Sequence, residues 1–577
     1  MRAIAALLCA ATVACSIPRL EDAPAVTNEC ASNVDCGASG VCIDAMCVAT
    51  NAELPRVLLE IDAPYAADGQ RLGAIVDLAA QGLSLEGDMP LGHVHELSLV
   101  PQVADVTASF VLESAFGGCT AMPVPFALEL FPALDVTGIP LLPYAAESSE
   151  APGATPSLRV PHGTYDIYAR ATLPEETPSE CQIPPILLRS RVLASQSVDI
   201  QLAVKSSPTE LTGSIDADLS DWTIALIDNQ DGRLLSTPAR LESEPSPVGS
   251  TTFSLYAWPE VFAPNSFDTV LKMTPPEEQR IQGKPTLLWK LEAIQPGSIP
   301  HVELKTLGLL DQPATLIEGS VIAPNGAGVP ATVAIRSNSL DAEAGSIAAF
   351  QTIVVTDSDG WFSVKLRPGL YEVVAAPAAG SDLAITRTDW TIAVGDLGGG
   401  RSVELSLRPR LIGHATLESG LPALFTAVFA EPAATHATTY LEEEFDVRAS
   451  PVASLGGSTD TDASGYFELP IDPGQFDFSL RPAPGSRLPW LVRPRVAVSD
   501  AGPYAADLGD ITITHPVVLH GAIAAPDGPP IAHGAVRIWL APSTDVGAAA
   551  PAAVLLAETH TDDAGAFSLL LPSGVSE

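Results

Sequence analysis

The fold is decided by residues 356–373, which read TDSDGWFSVKLRPGLYEV. The Asp-rich segment 357–360 ends in Gly and predicts a tight turn, because Asp bonds its own backbone and Gly tolerates positive φ. From Phe362 to Arg367 apolar and polar side chains alternate, the period of a half-buried strand that exposes Arg367. Pro-Gly at 368–369 predicts a second turn, and another strand begins after it.

Versions of this unit recur along the chain, which predicts a tandem array. The first turn and strand are repeated by TDASGYF at 461–467 and TDDAGAF at 561–567. The second turn and strand are repeated by PGQFDF at 473–478 and PHGTYDI at 161–167.

A glycine-containing strand opens each unit, and its copies lie about a hundred residues apart. The opening strands are LTGSI, IEGSV, IGHA and LHGAI, with their glycines at Gly213, Gly319, Gly413 and Gly521. VTASF at 106–110 has the same phase, with Ala in place of Gly. Alternating strands that close the preceding unit stand before each opening strand: HELSL at 95–99, VDIQL at 198–202, VEL at 302–304, VELSL at 403–407 and DITI at 510–513.

These phases divide the chain into units. We predict a partial β unit at 53–101, a β-sandwich at 103–203, a degenerate one at 211–305 with strands near 252–255 and 269–272, two clearer ones at 316–408 and 411–514, and an incomplete one at 517–577. The last unit lacks the Gly-x-Tyr strand and the closing V-x-L strand. The absence of these two strands predicts an open sheet edge and an uncovered face of the sandwich. We therefore expect the chain to be truncated.

Units 316–408 and 411–514 resemble the carboxypeptidase regulatory-like domain, a transthyretin-like (prealbumin-like) sandwich of seven strands. The resemblance rests on GSV at 319–321, GVPA at 328–331, the Thr-Asp turn with Gly360 and Phe362, and PGLY at 368–371. The 517 unit adds Gly521, Val536, Thr561-Asp562, Gly565 and Phe567. It implies an all-β fold and an accessory role. Such modules occur beside peptidases, in outer-membrane receptors, and in surface and carbohydrate-binding proteins grouped with starch-binding-like folds.

Composition supports folded β domains and argues against a nucleic-acid partner. The chain has 577 residues, 46% of them hydrophobic, with 52 Pro and 44 Gly, which suits many short strands and turns. This length exceeds one hydrophobic core. The net charge of −40 repels phosphate, so we expect no nucleic-acid partner.

The N-terminus has the pattern of a targeting segment. Arg2 precedes a short apolar stretch, too short to span as a mature helix, so we expect a signal peptide over 1–15. Its end, TVACS at 12–16, resembles a bacterial lipobox, although Thr12 departs from the usual Leu. The resemblance implies a lipid on Cys15, a tether at 16–29, and an exported lipoprotein at the outer membrane or surface of a Gram-negative-type bacterium. Ordinary secretion is the alternative.

Six of the eight cysteines remain after Cys9 and Cys15, an even number in an exported chain. A disulfide-rich module at 30–50 contains Cys30, Cys36, Cys42 and Cys47. We expect two disulfides within it, and the sequence does not decide which cysteines pair. A zinc knuckle would have C-x2-C pairs and a nearby His. The module resembles the small cysteine knots that follow lipoboxes, which implies a stalk or a contact module. Cys119 and Cys181 form the last expected pair.

Two metal sites are considered and set aside. His93 and Glu96 form an H-x-x-E pair, with His162 as a third ligand, but HELSL at 95–99 aligns with the structural strand VELSL. The Asp turns at 357–359 and 562–563 offer oxygen ligands for calcium, but no distal Glu completes the coordination. Turn chemistry alone explains these residues. No nucleophile elbow, phosphate loop or dinucleotide fingerprint is found, so we expect no catalytic residue, metal or cofactor.

Trp361 and Tyr466 stand between the turn glycine and the next Phe, so they point outward if that Phe points inward. Exposed aromatic rings stack on sugars, which makes these two residues candidate ligand contacts. Ala566 occupies the same place in the last unit. Packing against a neighbouring module is therefore the preferred interpretation.

The sequence thus predicts a non-enzymatic, lipid-anchored surface protein made of tandem transthyretin-like seven-stranded β-sandwiches. It would act as a scaffold, spacer or adhesion module, with surface glycans or proteins as partners. One alternative is a carbohydrate- or peptide-binding accessory protein. Another is the non-catalytic part of a truncated enzyme.

Overall fold

The computed structural model describes residues 28–54, 56–64, 71–88, 95–113, 115, 119, 122–147, 157–172, 183–204, 207–243, 251–263, 267–291, 301–304, 313–339, 346–378, 380–396, 398–433, 456–499, 504–526, 528–541 and 552–575. Within them strands are almost the only regular secondary structure, and the predicted all-β class is confirmed. The helical elements of these residues are one short α-helix, α1 (Glu277–Ile281), and two 3-10 turns, Asn33–Cys36 and Pro259–Phe262.

The first described segment contains a small hairpin and five further strands. They are β1 (Gly40–Ile43), β2 (Met46–Ala49), β3 (Asn51–Leu54), β4 (Val57–Pro64), β5 (Arg71–Asp77), β6 (Leu85–Asp88) and β7 (His95–Leu99). β1 pairs with β2, and β3 pairs with β6. β4 pairs with β5, and β4 and β7 each pair as well with a strand from the end of the chain, as described below.

Residues 103–204 form the first sandwich. Its strands are β8 (Val103–Leu112), β9 (Met122–Pro123), β10 (Phe126–Pro132), β11 (Tyr144–Glu147), β12 (Ser157–Pro161), β13 (Gly163–Ala171), β14 (Ile186–Leu193) and β15 (Ser197–Val204). One sheet has the order β12-β8-β15 and the facing sheet the order β11-β10-β13-β14. The closing strand β15 runs parallel to the opening strand β8.

Residues 209–304 form the second sandwich. Its strands are β16 (Thr209–Ile215), β17 (Thr223–Asp228), β18 (Ala239–Arg240), β19 (Glu242–Ser243), β20 (Thr251–Ala257), β21 (Thr269–Thr274), β22 (Thr286–Lys290) and β23 (His301–Leu304). The orders are β19-β20-β16-β23 and β18-β17-β21-β22. The two strands predicted for this degenerate unit are present as β20 and β21.

Residues 315–405 form the third sandwich. Its strands are β24 (Thr315–Ile322), β25 (Ala331–Ser339), β26 (Ser346–Ala349), β27 (Gln351–Val355), β28 (Trp361–Leu366), β29 (Gly369–Pro377), β30 (Thr386–Ile392) and β31 (Arg401–Glu404). The orders are β28-β24-β31 and β27-β25-β29-β30. β26 instead joins β22 and so extends a sheet of the second sandwich.

Residues 410–513 form the fourth sandwich with the same arrangement. Its strands are β32 (Arg410–Leu417), β33 (Ala427–Pro432), β34 (Gly457–Asp460), β35 (Tyr466–Pro470), β36 (Gly474–Arg481), β37 (Leu491–Val498) and β38 (Tyr504–Ile513). The orders are β35-β32-β38 and β34-β33-β36-β37.

The last four strands are completed by strands from the start of the chain. They are β39 (Val517–Ile523), β40 (Ala535–Leu540), β41 (Val554–His560) and β42 (Ala566–Leu571). β39 pairs parallel with β7, and β40 pairs antiparallel with β4. The resulting orders, β42-β39-β7 and β41-β40-β4-β5, match those of the third sandwich. We call this unit, residues 57–99 with 517–571, the composite sandwich.

The composite sandwich corrects the prediction of two separate partial units at 53–101 and 517–577. Leu59 and Ile61 share one hydrophobic core with Phe567 and Leu569. The face predicted to be uncovered is therefore closed by residues distant in sequence. The expectation of a truncated chain rested on the missing strands, and this pairing removes that support.

Neighbouring sandwiches meet through buried polar contacts. Arg367 was predicted to be exposed but is buried, and its Nε donates to the carbonyl oxygen of Gly283 at 3.1 Å across the junction of the second and third sandwiches. Asp472 is fully buried between the third and fourth sandwiches, where it accepts the Ile385 N–H at 3.1 Å and pairs with Arg408 at 3.3 Å. These contacts couple the orientation of one sandwich to the next.

Candidate functional site

The Thr-Asp turn places the candidate aromatic residue of the third sandwich. Oδ1 of Asp357 accepts the backbone N–H groups of Asp359 and Trp361 at 2.9 and 2.8 Å. Gly360 has a φ of 79°, and a Cβ there would lie 2.3 Å from the Val321 carbonyl oxygen. The Asp357 carboxylate thus serves the turn itself, as turn chemistry predicts. Asp462 and Asp562 accept the corresponding N–H groups in their turns.

Trp361 begins β28 and points away from the core. Phe362 is 7% exposed, whereas Trp361 is 54% exposed. On the outer face of the sheet Trp361 lies opposite Ser320, which lies beside Ser402 on the far strand. With 54% of its surface exposed, the indole presents an open aromatic face to solvent, and the packing against a neighbouring module that the sequence favoured stays a prediction. The face offers one broad aromatic surface bordered by hydroxyl groups.

Tyr466 occupies the same position in the fourth sandwich and is 37% exposed. Its neighbour across the sheet is His414, which in turn lies beside Asp510, with Nδ1 and Oδ1 3.6 Å apart. The Tyr466 hydroxyl donates to Glu468 at 3.3 Å. This face therefore carries an aromatic ring among ionisable groups, unlike the hydroxyl-bordered face around Trp361.

The aromatic residue is confined to these two sandwiches among the aligned turns. In the composite sandwich Ala566 follows the turn and lies opposite Ala522. In the second sandwich Thr252 pairs with Ser214 at the matching register. Any ligand contact by Trp361 and Tyr466 is thus a property of two faces and not of the repeat.

The cysteine module contains two disulfides, as expected. Cys30 bonds to Cys42 and Cys36 to Cys47, which settles the connectivity that the sequence left open. Three of these sulfurs form a group of metal-ligand atoms within 4.8 Å of one another, but disulfide sulfurs are already bonded. Cys119 is disulfide-bonded. Cys181 and Cys15 lie outside the described residues, so their predicted roles stay predictions.

The module is docked on the body of the protein, which favours the contact module over the stalk, the two roles that the resemblance implied. Arg487 of the fourth sandwich donates to the carbonyl oxygens of Asp44 and Ala45, each at 3.2 Å. His515, between the fourth and composite sandwiches, places Nε2 2.8 Å from the Cys36 carbonyl oxygen. Gly40 permits this approach, because a Cβ there would lie 2.4 Å from the imidazole.

The residues considered for a zinc site have structural positions. His95 is buried in β7 opposite Leu519, and Glu96 follows on the outer face beside His520. His93 lies outside the described residues. The HELSL segment is therefore a closing strand, as its alignment with VELSL predicts.

No family model matches the sequence, and no curated protein matches it. Solved structures similar to the chain include a streptococcal ancillary pilin, with 10% identity over 53% of this chain and 99% of the pilin and a TM-score of 0.22. The Bacillus anthracis TIE protein has 11% identity over 72% of this chain and 74% of its own, with a TM-score of 0.15. A putative adhesin from Bacteroides ovatus has 11% identity over 35% and 89%, with a TM-score of 0.17.

Likeness at these TM-scores carries no argument about function, and the fold assignment rests on the strand orders given above.

Among the described residues, no helix has the length and apolar character needed to cross a membrane.

Proposed function

We propose that this chain is a non-enzymatic, lipid-anchored surface protein that acts as a scaffold, spacer or adhesion module. The observation that carries the proposal is the set of buried contacts between neighbouring sandwiches. Sandwiches with fixed junctions hold their outer faces at set distances from one another, which is the mechanical requirement of a scaffold.

The junction of the first and second sandwiches illustrates this rigidity. Arg189 of the first sandwich pairs with Asp228 of the second, which is 3% exposed, and with Asp166 at 2.5 Å. Burial acts to lower the pKa of Arg189, but its hydrogen bonds with the two carboxylates raise it overall. Bending this junction would separate Arg189 from the buried Asp228 carboxylate, so the pair favours one arrangement of the two sandwiches.

The lipid anchor is tested on the mature protein. Mass spectrometry of the N-terminal peptide should find Cys15 as the first residue with acyl chains attached, and Cys15→Ala should move the protein from the membrane fraction to the soluble fraction. An unmodified N-terminus at another residue, or unchanged fractionation of the variant, contradicts the anchor. The position of Cys15 after a small residue supports the proposal.

The finer family assignment also belongs to the proposal. We assign the third and fourth sandwiches to the carboxypeptidase regulatory-like type. The support is their shared order of three and four strands, with a closing strand parallel to the opening strand. In such domains function is set by the faces and loops, so the assignment itself implies no activity.

A carbohydrate-binding accessory role is the second candidate, and exposed Trp361 favours it. Aromatic rings bordered by hydroxyl groups suit the apolar faces and hydroxyl edges of sugars. The test is binding to a glycan array by wild type, Trp361→Ala and Tyr466→Ala. Loss of a glycan signal in Trp361→Ala supports sugar stacking on that indole. Signals that neither substitution changes, or no signal in any of the three proteins, contradict the carbohydrate-binding role.

A further inference from the structure

One edge strand of the third sandwich presents apolar side chains to solvent. β27 forms the edge of the sheet β27-β25-β29-β30, and among the described residues its outer side pairs with no strand. Ile353 and Val355 project from the face away from the core and are 47% and 73% exposed. An apolar edge strand with free backbone groups is a template for pairing with another strand.

In the fourth and composite sandwiches the same position is protected by polar residues. In the fourth sandwich, Ser458 and Asp460 of β34 occupy the register of Ile353 and Val355, counted from the buried Thr that follows each strand. In the composite sandwich the corresponding residues are Glu558 and His560 of β41. Charged residues on edge strands oppose pairing between molecules, so the third sandwich lacks a protection that its relatives in this chain retain.

Electrostatics favours a self-contact at this strand. Residues 346–356 read SIAAFQTIVVT and contain no charged side chain, in a chain of net charge −40. Two copies of so acidic a protein repel each other, and an uncharged strand is where they approach at the least cost. Inward along the same face Ala334 and Val374 are buried with Ile385, so the apolar surface open to a second copy is that of β27 itself.

We propose that β27 is the docking edge for a second copy of this chain. The two β27 strands pair antiparallel about a two-fold axis perpendicular to the sheets. Directly opposite residues of an antiparallel pair lie on one face, so Ile353 and Val355 of one copy cover those of the other. Such an isologous contact closes on itself and yields a dimer and not a fibre.

Lysine substitution on the edge tests the dimer. The variant Ile353→Lys/Val355→Lys places four positive charges across the contact, and its matched control is Ser458→Lys/Asp460→Lys on the equivalent strand. Sedimentation velocity from about 1 to about 100 μM should show a wild-type and control dimer, and at least a roughly tenfold weaker dimer in the edge variant. A wild type that stays monomeric throughout, or a dimer unaffected by the edge lysines, overturns the proposal.

Cysteine cross-linking tests the geometry independently. The variant Ile353→Cys/Val355→Cys should form a disulfide-linked dimer under mild oxidation whether the axis passes through residue 353, 354 or 355. The control Ser458→Cys/Asp460→Cys should remain monomeric under the same conditions. Equal cross-linking of both variants would show random collision and overturn the specific contact, as would no cross-link in either.

Discussion

The recurring glycines of the opening strands exist because each faces a phenylalanine. Gly319 lies directly opposite Phe362, and a Cβ on the glycine would come within 2.3 Å of the phenyl ring. The same relation joins Gly213 to Phe253, Gly413 to Phe467 and Gly521 to Phe567. In the first sandwich the aligned residue is Ala108, which lies just beyond the last described pair of β12 and β8, Ser157 with Thr107. The phase marker found in the sequence is thus a packing requirement.

Alanine at Gly319 should therefore destabilise the third sandwich. We expect Gly319→Ala to lower the free energy of unfolding by about 1–3 kcal/mol, because the phenyl ring must leave its packed position. Gly399→Ala is the matched control, since a Cβ there meets no atom within 4 Å. Urea unfolding followed by tryptophan fluorescence compares the two. Equal midpoints for both variants would show that the ring relaxes freely.

At the scale of the element, the Thr-Asp turn joins the two sheets of a sandwich. The Thr461 hydroxyl accepts the Thr426 N–H at 2.9 Å and donates to the Ala423 carbonyl oxygen at 2.5 Å. Thr356 and Thr561 make corresponding contacts in their sandwiches. The adjoining Asp closes the turn. The Thr therefore links the two sheets, and the Asp stabilises the turn backbone. Repetition of the pair in the sequence predicted the turn, but only the structure assigns the buried hydroxyl its two partners.

The turn predicts a pH dependence of stability. The hydroxyl and N–H of Ser464 and the N–H of Tyr466 hold the pKa of Asp462 below its ordinary value of 3.8. A carboxyl whose pKa is depressed by folding stabilises the protein above its unfolded pKa and loses that contribution as pH falls through the folded value. Wild type should therefore exceed Asp462→Ala in urea midpoint at pH 7, and the difference should shrink as pH falls below 3.8.

Urea titrations of both proteins between about pH 3 and pH 7 measure this difference. Asp462→Asn serves as the control, because its side-chain oxygen still accepts hydrogen bonds but does not titrate. A gap between wild type and Asp462→Ala that is unchanged at the lowest pH would show that the carboxylate charge has no part in the turn.

At the scale of the whole molecule, the composite sandwich links the two ends of the described chain. β7 is separated from β8 by three residues, and β38 from β39 by three residues. The N-terminal strands thus directly precede the first sandwich in the chain, and the C-terminal strands directly follow the fourth. Their pairing closes the series of sandwiches upon itself and gives the cysteine module its docking place.

Removal of residues 28–101 should therefore unfold a distant region. Without β4, β5 and β7, the core around Phe567 loses its partners, and we expect proteolysis within 517–571 to accelerate by roughly tenfold or more. Adding a separately produced fragment 28–101 should restore protection. Deletion of 28–48 alone is the control, since it removes the cysteine module but retains those three strands and β3, whose Ala52 and Leu54 belong to the same core. Continued protection of 517–571 without 28–101 would contradict the composite sandwich. Limited proteolysis with mass spectrometry reads out all four cases.

The sequence by itself determined the all-β class, the phase of the repeats, the Thr-Asp turns and the outward direction of Trp361. These features depend on alternation and turn chemistry, which act between residues close in sequence. Only the tertiary structure decided that 57–99 completes 517–571, that Arg367 is buried, and that Ile353 and Val355 lie on a strand that forms a sheet edge among the described residues. Strand partners hundreds of residues apart leave no local pattern, because pairing is selected by shape and burial in the folded whole.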